Sequence, residues 1–203
     1  WPLPPARHPG RAVAAALQAL REEGRLAAAQ SVSVPRDWAA VRDRLVPTGD
    51  GGDWEWMWTG TAPAPVPGEE HLVELSDRGD AEEIMTFART HSPRTWADAG
   101  SGRTELWLGL RDAAGRLRAV GGMERLDTGA PHLTGIVIGT AERRQGLGRV
   151  VTAALARRAI DDSGVCTLGV YADNVAAVAL YHQLGFRTAH AWSTRSVAAP
   201  LGG

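Results

Sequence analysis

The stretch that most constrains this chain runs from Pro131 to Ile160, PHLTGIVIGTAERRQGLGRVVTAALARRAI. It opens with an apolar, β-branched run, Leu133 to Ile138, of strand length. It closes with Val150, Val151, Ala154, Leu155 and Ile160, which fit one face of an amphipathic helix. Between them lie Arg143, Arg144, Gln145, Gly146, Leu147 and Gly148. A strand, a tight glycine loop and a helix in that order point backbone N–H groups and the positive end of a helix dipole at an anion. Two arginines at the mouth add charge suited to a phosphate.

The kind of phosphate site is narrowed by elimination. All 22 basic residues are arginine. A Walker A loop, a Schiff-base cofactor site and the kinase phosphate clamp each need a lysine, so all three are excluded. The loop does not read G-x-G-x-x-G, which makes a dinucleotide fingerprint a poor fit. The plain alternative is a helix that starts after a glycine turn and carries exposed arginines.

At these residues the chain resembles a known family. Arg143-x-x-Gly146-x-Gly148 is similar to the loop with which the GNAT superfamily of N-acetyltransferases grips the pyrophosphate of acetyl-coenzyme A. Tyr171-Ala172-Asp173-Asn174, followed by Ala179-Leu180-Tyr181-His182-Gln183-Leu184-Gly185-Phe186, resembles that family's closing segment, in the expected order. The resemblance covers Leu72 to Trp192. Thr140 departs from it where many members carry proline, and Arg144 where many carry glycine.

Composition sets the outer bounds. A chain of 203 residues is long enough for one ordinary domain, with or without an appendage. The net charge of -1, with both signs interspersed, argues against a nucleic-acid footprint or a polybasic membrane patch. The single cysteine, Cys166, excludes an internal disulfide and a Cys-rich zinc site, and its apolar surroundings suit a small buried hydrophobe. No apolar run has membrane-span length and no signal-peptide pattern is read, so the cytoplasm is the expected compartment. The histidines show no metal-ligand spacing, and no metal is expected.

Taken in order, Pro2 to Gly10 reads as extended or poorly ordered. Helices are expected over Arg11 to Glu23 and Asp37 to Leu45, and a turn over Gly49 to Gly52. Trp54 to Thr59 reads as a strand with Trp54, Trp56 and Trp58 on one face, either packed on the N-terminal helices or walling an acceptor pocket. Thr61 to Gly68 reads as a linker. A strand over His71 to Leu75 follows, then a helix over Asp80 to Thr90 capped by Asp80. Pro93 to Ala99 reads as a short helix. Glu105 to Arg111 and Leu117 to Glu124 form a hairpin around Asp112 to Arg116, with Gly115 at positive φ. After the organising stretch come a strand at Cys166 to Tyr171, a helix at Val175 to Leu184 and a strand near Phe186 to Trp192. The fold expected is a mixed α/β sheet of GNAT type, β-α-α-β-β-β-α-β-α-β, with an N-terminal extension over 1–68, the main domain over 69–195 and a tail over 196–203.

Acyl transfer from a thioester to an amine needs a cofactor grip, an oxyanion donor, a base and an acid. The resemblance assigns the grip to Arg143, Arg144, Gln145, Gly146, Leu147, Gly148 and Arg149. It sets the backbone of Ile136, Val137 and Ile138 along the pantetheine arm, where Gly135 signals a bulge, and adds Asn174 and Ala177. Asn174 fits equally as the cap of the last helix. Tyr181 is the candidate acid, or a packing partner of Phe186. The base is His132, or Glu124 on the neighbouring strand, or a water. The reaction expected is acetyl-coenzyme-A-dependent N-acetylation by direct attack of a small-molecule or peptide amine, with no nucleic-acid or membrane partner and a homodimer left open. The alternatives are transfer of a longer acyl group and a non-catalytic acyl-coenzyme-A sensor.

Overall fold

The computed structural model describes residues 9–198. The fold is mixed α/β, with eight strands, mostly antiparallel, and five α-helices among the described residues. The elements divide into two compact units, each described by itself.

Among the described residues, the first unit comprises 9–56, 170–174 and 189–198. It holds α1 (Pro9–Glu22), β1 (Ser31–Pro35), α2 (Ala39–Leu45) and most of β2 (Thr48–Thr59) and of β8 (Arg187–Val197). Strand β1 pairs antiparallel with β8, from Ser31↔Ser196 to Pro35↔Trp192, and β8 lies next to β2. The alternation of β1 buries Val32 and Val34 and exposes Ser31, Ser33 and Pro35. The buried pair joins Leu17, Leu26 and Val46 in an apolar cluster with α1 and α2. Arg42 is fully buried, which is tolerable only because its guanidinium is hydrogen-bonded. It donates to the Ser193 carbonyl at 2.7 Å and to Asp43 Oδ1 at 2.8 and 2.9 Å.

The second unit comprises residues 57–169 and 175–188. Its strands are β3 (Val73–Leu75), β4 (Thr104–Arg111), β5 (Leu117–Arg125), β6 (Pro131–Ile138) and the start of β7 (Cys166–Tyr171). They lie in the order β7-β6-β5-β4-β3. The β6–β7 pair is parallel and the others are antiparallel. One core forms where α3 (Ala81–His91) brings Ile84 and Ala88 onto Trp107, Val120 and Val137. Trp107 is fully buried and its indole N–H is satisfied by Asp77 Oδ1 at 2.9 Å. Glu83 of α3 takes Arg111 of β4 in a two-pronged pair, both distances 2.7 Å. Helix α4 (Leu147–Ser163) buries Val150, Val151, Ala153, Leu155, Ala156 and Ala159, and ends on Gly164 at φ +70°. Helix α5 (Val175–Gln183) follows β7.

The hairpin, the organising strand–loop–helix, β7 and α5 fall where the sequence places them, and Gly115 takes φ +82°. Cys166 is buried, and burial pushes its thiol up to about 12, so it is inert. Four local expectations are corrected. Ser31–Pro35 is a strand that the sequence reading passed over. Gly49 to Gly52 is not a turn but part of β2, and glycine is there for close approach. A Cβ at Gly51 would lie 2.1 Å from the Thr194 carbonyl, and one at Gly52 3.0 Å from the Tyr171 ring. Pro93 to Ala99 forms no helix. Asp80 stands at the N-cap of α3, but its carboxylate turns back to take the Ser76 N–H at 2.6 Å rather than capping the helix. Pro9 and Gly10 already belong to α1, while the expectation for Pro2 to His8 lies outside the described residues.

Candidate active site

Helix α4 begins with nothing but backbone. Gly146 is its N-cap at φ +83°, no side chain caps it, and its first turn carries no acid. The first amides of a helix have no intrahelical acceptor, so Leu147 and Gly148 present N–H groups outward. A Cβ at Gly146 would meet nothing within 4 Å, so the space in front of the helix end is open. Arg143, Arg144 and Arg149 are exposed around it. Gly148 is closely packed instead. A Cβ there would press on Leu180 of α5 at 3.3 Å and Ile138 of β6 at 3.6 Å, so the loop seats directly on both elements.

Interactions with β5 and α3 that no local pattern announces hold the loop in place. Arg118 of β5 donates from Nε to Glu142 Oε2 at 2.9 Å and from Nη2 to Gln145 Oε1 at 3.1 Å. Gln145 in turn donates to the Ala141 carbonyl at 3.3 Å. At the end of α3, His91 Nδ1 accepts the Thr140 N–H at 3.2 Å and lies 3.0 Å from Thr140 Oγ1, while its carbonyl takes Arg143 Nη2 at 2.7 Å. Thr140 thus uses the N–H that a proline would lack. Arg144 sits at φ +65°, the one non-glycine residue with positive φ among those described, at the position where many of the family carry glycine.

Beside the loop, β6 is bulged. Val120 pairs with Val137 and Gly122 with Thr134, so three steps on β6 oppose two on β5. Gly135 takes φ +59° at this point, and a Cβ there would lie 2.9 Å from Ala97 and from the Trp107 ring. Among the described residues the parallel pairing of β6 with β7 runs through His132↔Thr167 and Leu133↔Leu168 and ends before the bulge. Trp96 lies at this separation. Its carbonyl takes Thr134 Oγ1 at 3.3 Å, and a Cβ at Gly169 of β7 would lie 2.8 Å from its ring. Trp96 is 46% exposed, so a bulky ring borders the opening. Sequence reading placed a helix here and did not single out Trp96.

The titratable candidates occupy contrasting settings. His132 is buried beneath the strand end, and burial lowers its pKa to about 4. Glu124, its cross-strand neighbour, is half-buried. Burial raises the Glu124 carboxyl, Arg103 opposes this and Asp98 adds to it. Tyr181 is buried on α5, its ring tilted 57° to Phe186 at 6.0 Å, and burial drives its phenol upward. Ala177 is one turn before Tyr181 on the same helix. Asn174 belongs to the first unit and donates its N–H to the Tyr171 carbonyl at 3.0 Å. The loop, Ile136 to Ile138, Ala177, Tyr181, His132 and Glu124 all belong to the second unit. Among the described residues no cluster of His, Cys, Asp and Glu could hold a metal ion, and no helix is long and apolar enough to cross a membrane.

Residues 107–196 match the family model described as FR47-like protein. The chain is similar in structure to an acetyltransferase of the GNAT family from Novosphingobium aromaticivorans, at 20% identity over 83% of this chain and 73% of that one, with TM-score 0.65. It is equally similar, at TM-score 0.65 and 16% identity, to a GCN5-related N-acetyltransferase from Kribbella flavida, over 96% of this chain and 77% of that one. A tandem GNAT protein from the clavulanic acid biosynthesis pathway matches over 98% of this chain and 73% of its own, at 16% identity and TM-score 0.59. No curated protein matches the chain in sequence. The chain thus has the fold of the GNAT acetyltransferases, and its residues 107–196 match the FR47-like family model.

Proposed function

We propose that this chain is an acetyl-coenzyme-A-dependent N-acetyltransferase that acts by direct attack of an amine acceptor. One observation carries the reading: an uncapped 17-residue helix, with Gly146 at its mouth and open space before it, begins beside a strand that has parted from its parallel neighbour. The residues fit the group. Helix amides and Arg143, Arg144 and Arg149 suit a pyrophosphate, and the freed edge of β6 over Ile136 to Ile138 suits the amides of a pantetheine arm. Bound there, the thioester supplies the activated acyl group.

The chain's own groups divide the remaining work. Glu124 is the better base, since partial desolvation makes its carboxylate more basic than one in water. His132 is neutral and, at about 4, a weak proton acceptor; it orders the strand end instead. Tyr181 keeps its proton across the working pH range, so it is suited to donate a hydrogen bond to a departing thiolate. The test is a panel of amino acids, polyamines, aminoglycosides and peptide N-termini, read by release of free coenzyme A. Release that depends on one acceptor class supports the reading. Tight binding of acetyl-coenzyme A with no release for any amine identifies a sensor.

A further inference from the structure

We propose that the aromatic face of the first unit is a binding site for an organic cation of the methylated-ammonium class. A cavity of about 350 Å³ opens there, lined by Ser33, Trp54, Trp56, His190 and Trp192. Three neighbouring strands build it by alternation. Strand β1 contributes Ser33, between the two valines that face α1 and α2. Strand β2 contributes Trp54 and Trp56, and β8 contributes His190 and Trp192. The rings form one continuous surface. Trp54 stacks beside Trp192 at 6.2 Å and 27°, meets Trp56 edge-on at 6.3 Å and 68°, and His190 lies 5.6 Å from Trp192.

The chemistry of the lining selects the ligand. Two of its hydrogen-bonding groups are engaged with Thr194: Trp54 Nε1 donates to Thr194 Oγ1 at 2.8 Å, and that hydroxyl pairs with Ser33 Oγ at 2.7 Å. The charges of these strands alternate to the other face, where Asp53 meets Arg195 at 3.1 Å and Glu55 meets Arg36 at 3.6 Å. An anion entering the cavity finds no guanidinium in its lining, which is dominated by indole rings. An alkylated ammonium loses little on leaving water, and indole faces attract it through their quadrupoles, tryptophan most strongly of the aromatic side chains. This site does not depend on the acetyl-transfer reading.

The test is calorimetric titration of the full chain with choline and with 3,3-dimethylbutan-1-ol, which has the same shape without the charge. Choline is expected to bind about tenfold tighter, the advantage that cation–π attraction gives at partly exposed rings. Replacing the tryptophans biosynthetically with 5-fluorotryptophan keeps the shape, weakens the ring quadrupole and should narrow that gap to about threefold or less. Trp192→Leu should abolish choline binding; if that variant does not fold, the fluorinated protein decides alone. Equal affinity for the two ligands, a gap indifferent to fluorination, or no choline binding by the unlabelled protein would each overturn the proposal.

Discussion

His132 donates from Nδ1 to Thr167 Oγ1 at 3.0 Å, because the threonine's own proton is used on the Pro131 carbonyl at 2.9 Å. This network assigns the Nδ1–H tautomer and ties the starts of β6 and β7 together just before the two strands part. A buried neutral imidazole in that place suits a fastening for the strands.

The fastening has a pH signature. The folded-state pKa is depressed from 6.5 to about 4, so the unfolded chain takes up a proton that the folded one refuses. Stability from this group is therefore full above pH 6.5 and is lost as pH falls toward 4, by about 3 kcal/mol in all at 1.36 kcal/mol per unit. His132→Asn should lower stability at neutral pH yet flatten the decline between pH 6.5 and 4, as read by urea midpoints across that range. A parallel decline in the variant would remove His132 as its source.

Glu124 carries the opposite expectation. Glu124→Gln should lower turnover by about 10²–10⁴ and erase the acidic limb of the pH–rate profile, while His132→Asn should keep that limb. If the limb instead vanishes with His132→Asn, the base is the imidazole.

How much of this was legible in sequence depended on the range of the interaction. The loop from Arg143 to Gly148 declares itself because its glycines, its arginines and the helix it opens are consecutive, and Gly135 marked its bulge for the same reason. The glycines of β2 misled because a glycine cluster also spells a turn; what demands them is Thr194 at Gly51 and Tyr171 at Gly52, each more than a hundred residues away. Strand β1 was missed because Ser31 and Ser33 look like loop residues until β8 pairs with them. The Arg118–Glu142 and His91–Thr140 ties, and Trp96 against Gly169, join distant positions whose separate patterns say nothing of each other.

The two departures from the family loop are separately testable. Arg144 holds φ +65° at the cost a side chain bears in the left-handed region, so Arg144→Gly should stabilise the fold by about 1 kcal/mol in chemical denaturation. Its effect on cofactor affinity should be a loss, from one fewer cation beside the helix end.

Thr140→Pro would restore the residue common in the family and still should destabilise this chain by about 1 kcal/mol, because His91 Nδ1 loses its donor. His91→Ala combined with it should cost less than the sum of the two changes, and a double-mutant cycle by thermal denaturation reads the difference.

Tyr181→Phe keeps the ring against Phe186 and removes only the hydroxyl. Affinity for acetyl-coenzyme A should hold while turnover falls by about 10²–10⁴. Equal loss of both would make the hydroxyl a holder of the cofactor.

The proposed function stands or falls on whether the open N-terminus of α4 holds the pyrophosphate of acetyl-coenzyme A. Gly146→Asp puts a carboxylate into the space that the structure leaves empty, and strains the backbone at φ +83°. Titration calorimetry with acetyl-coenzyme A measures the consequence directly, with Gly146→Ala as the control for strain alone. The expected result is measurable binding by the wild type and by Gly146→Ala, and none by a folded Gly146→Asp. Undiminished binding by Gly146→Asp would mean that the pyrophosphate lies elsewhere.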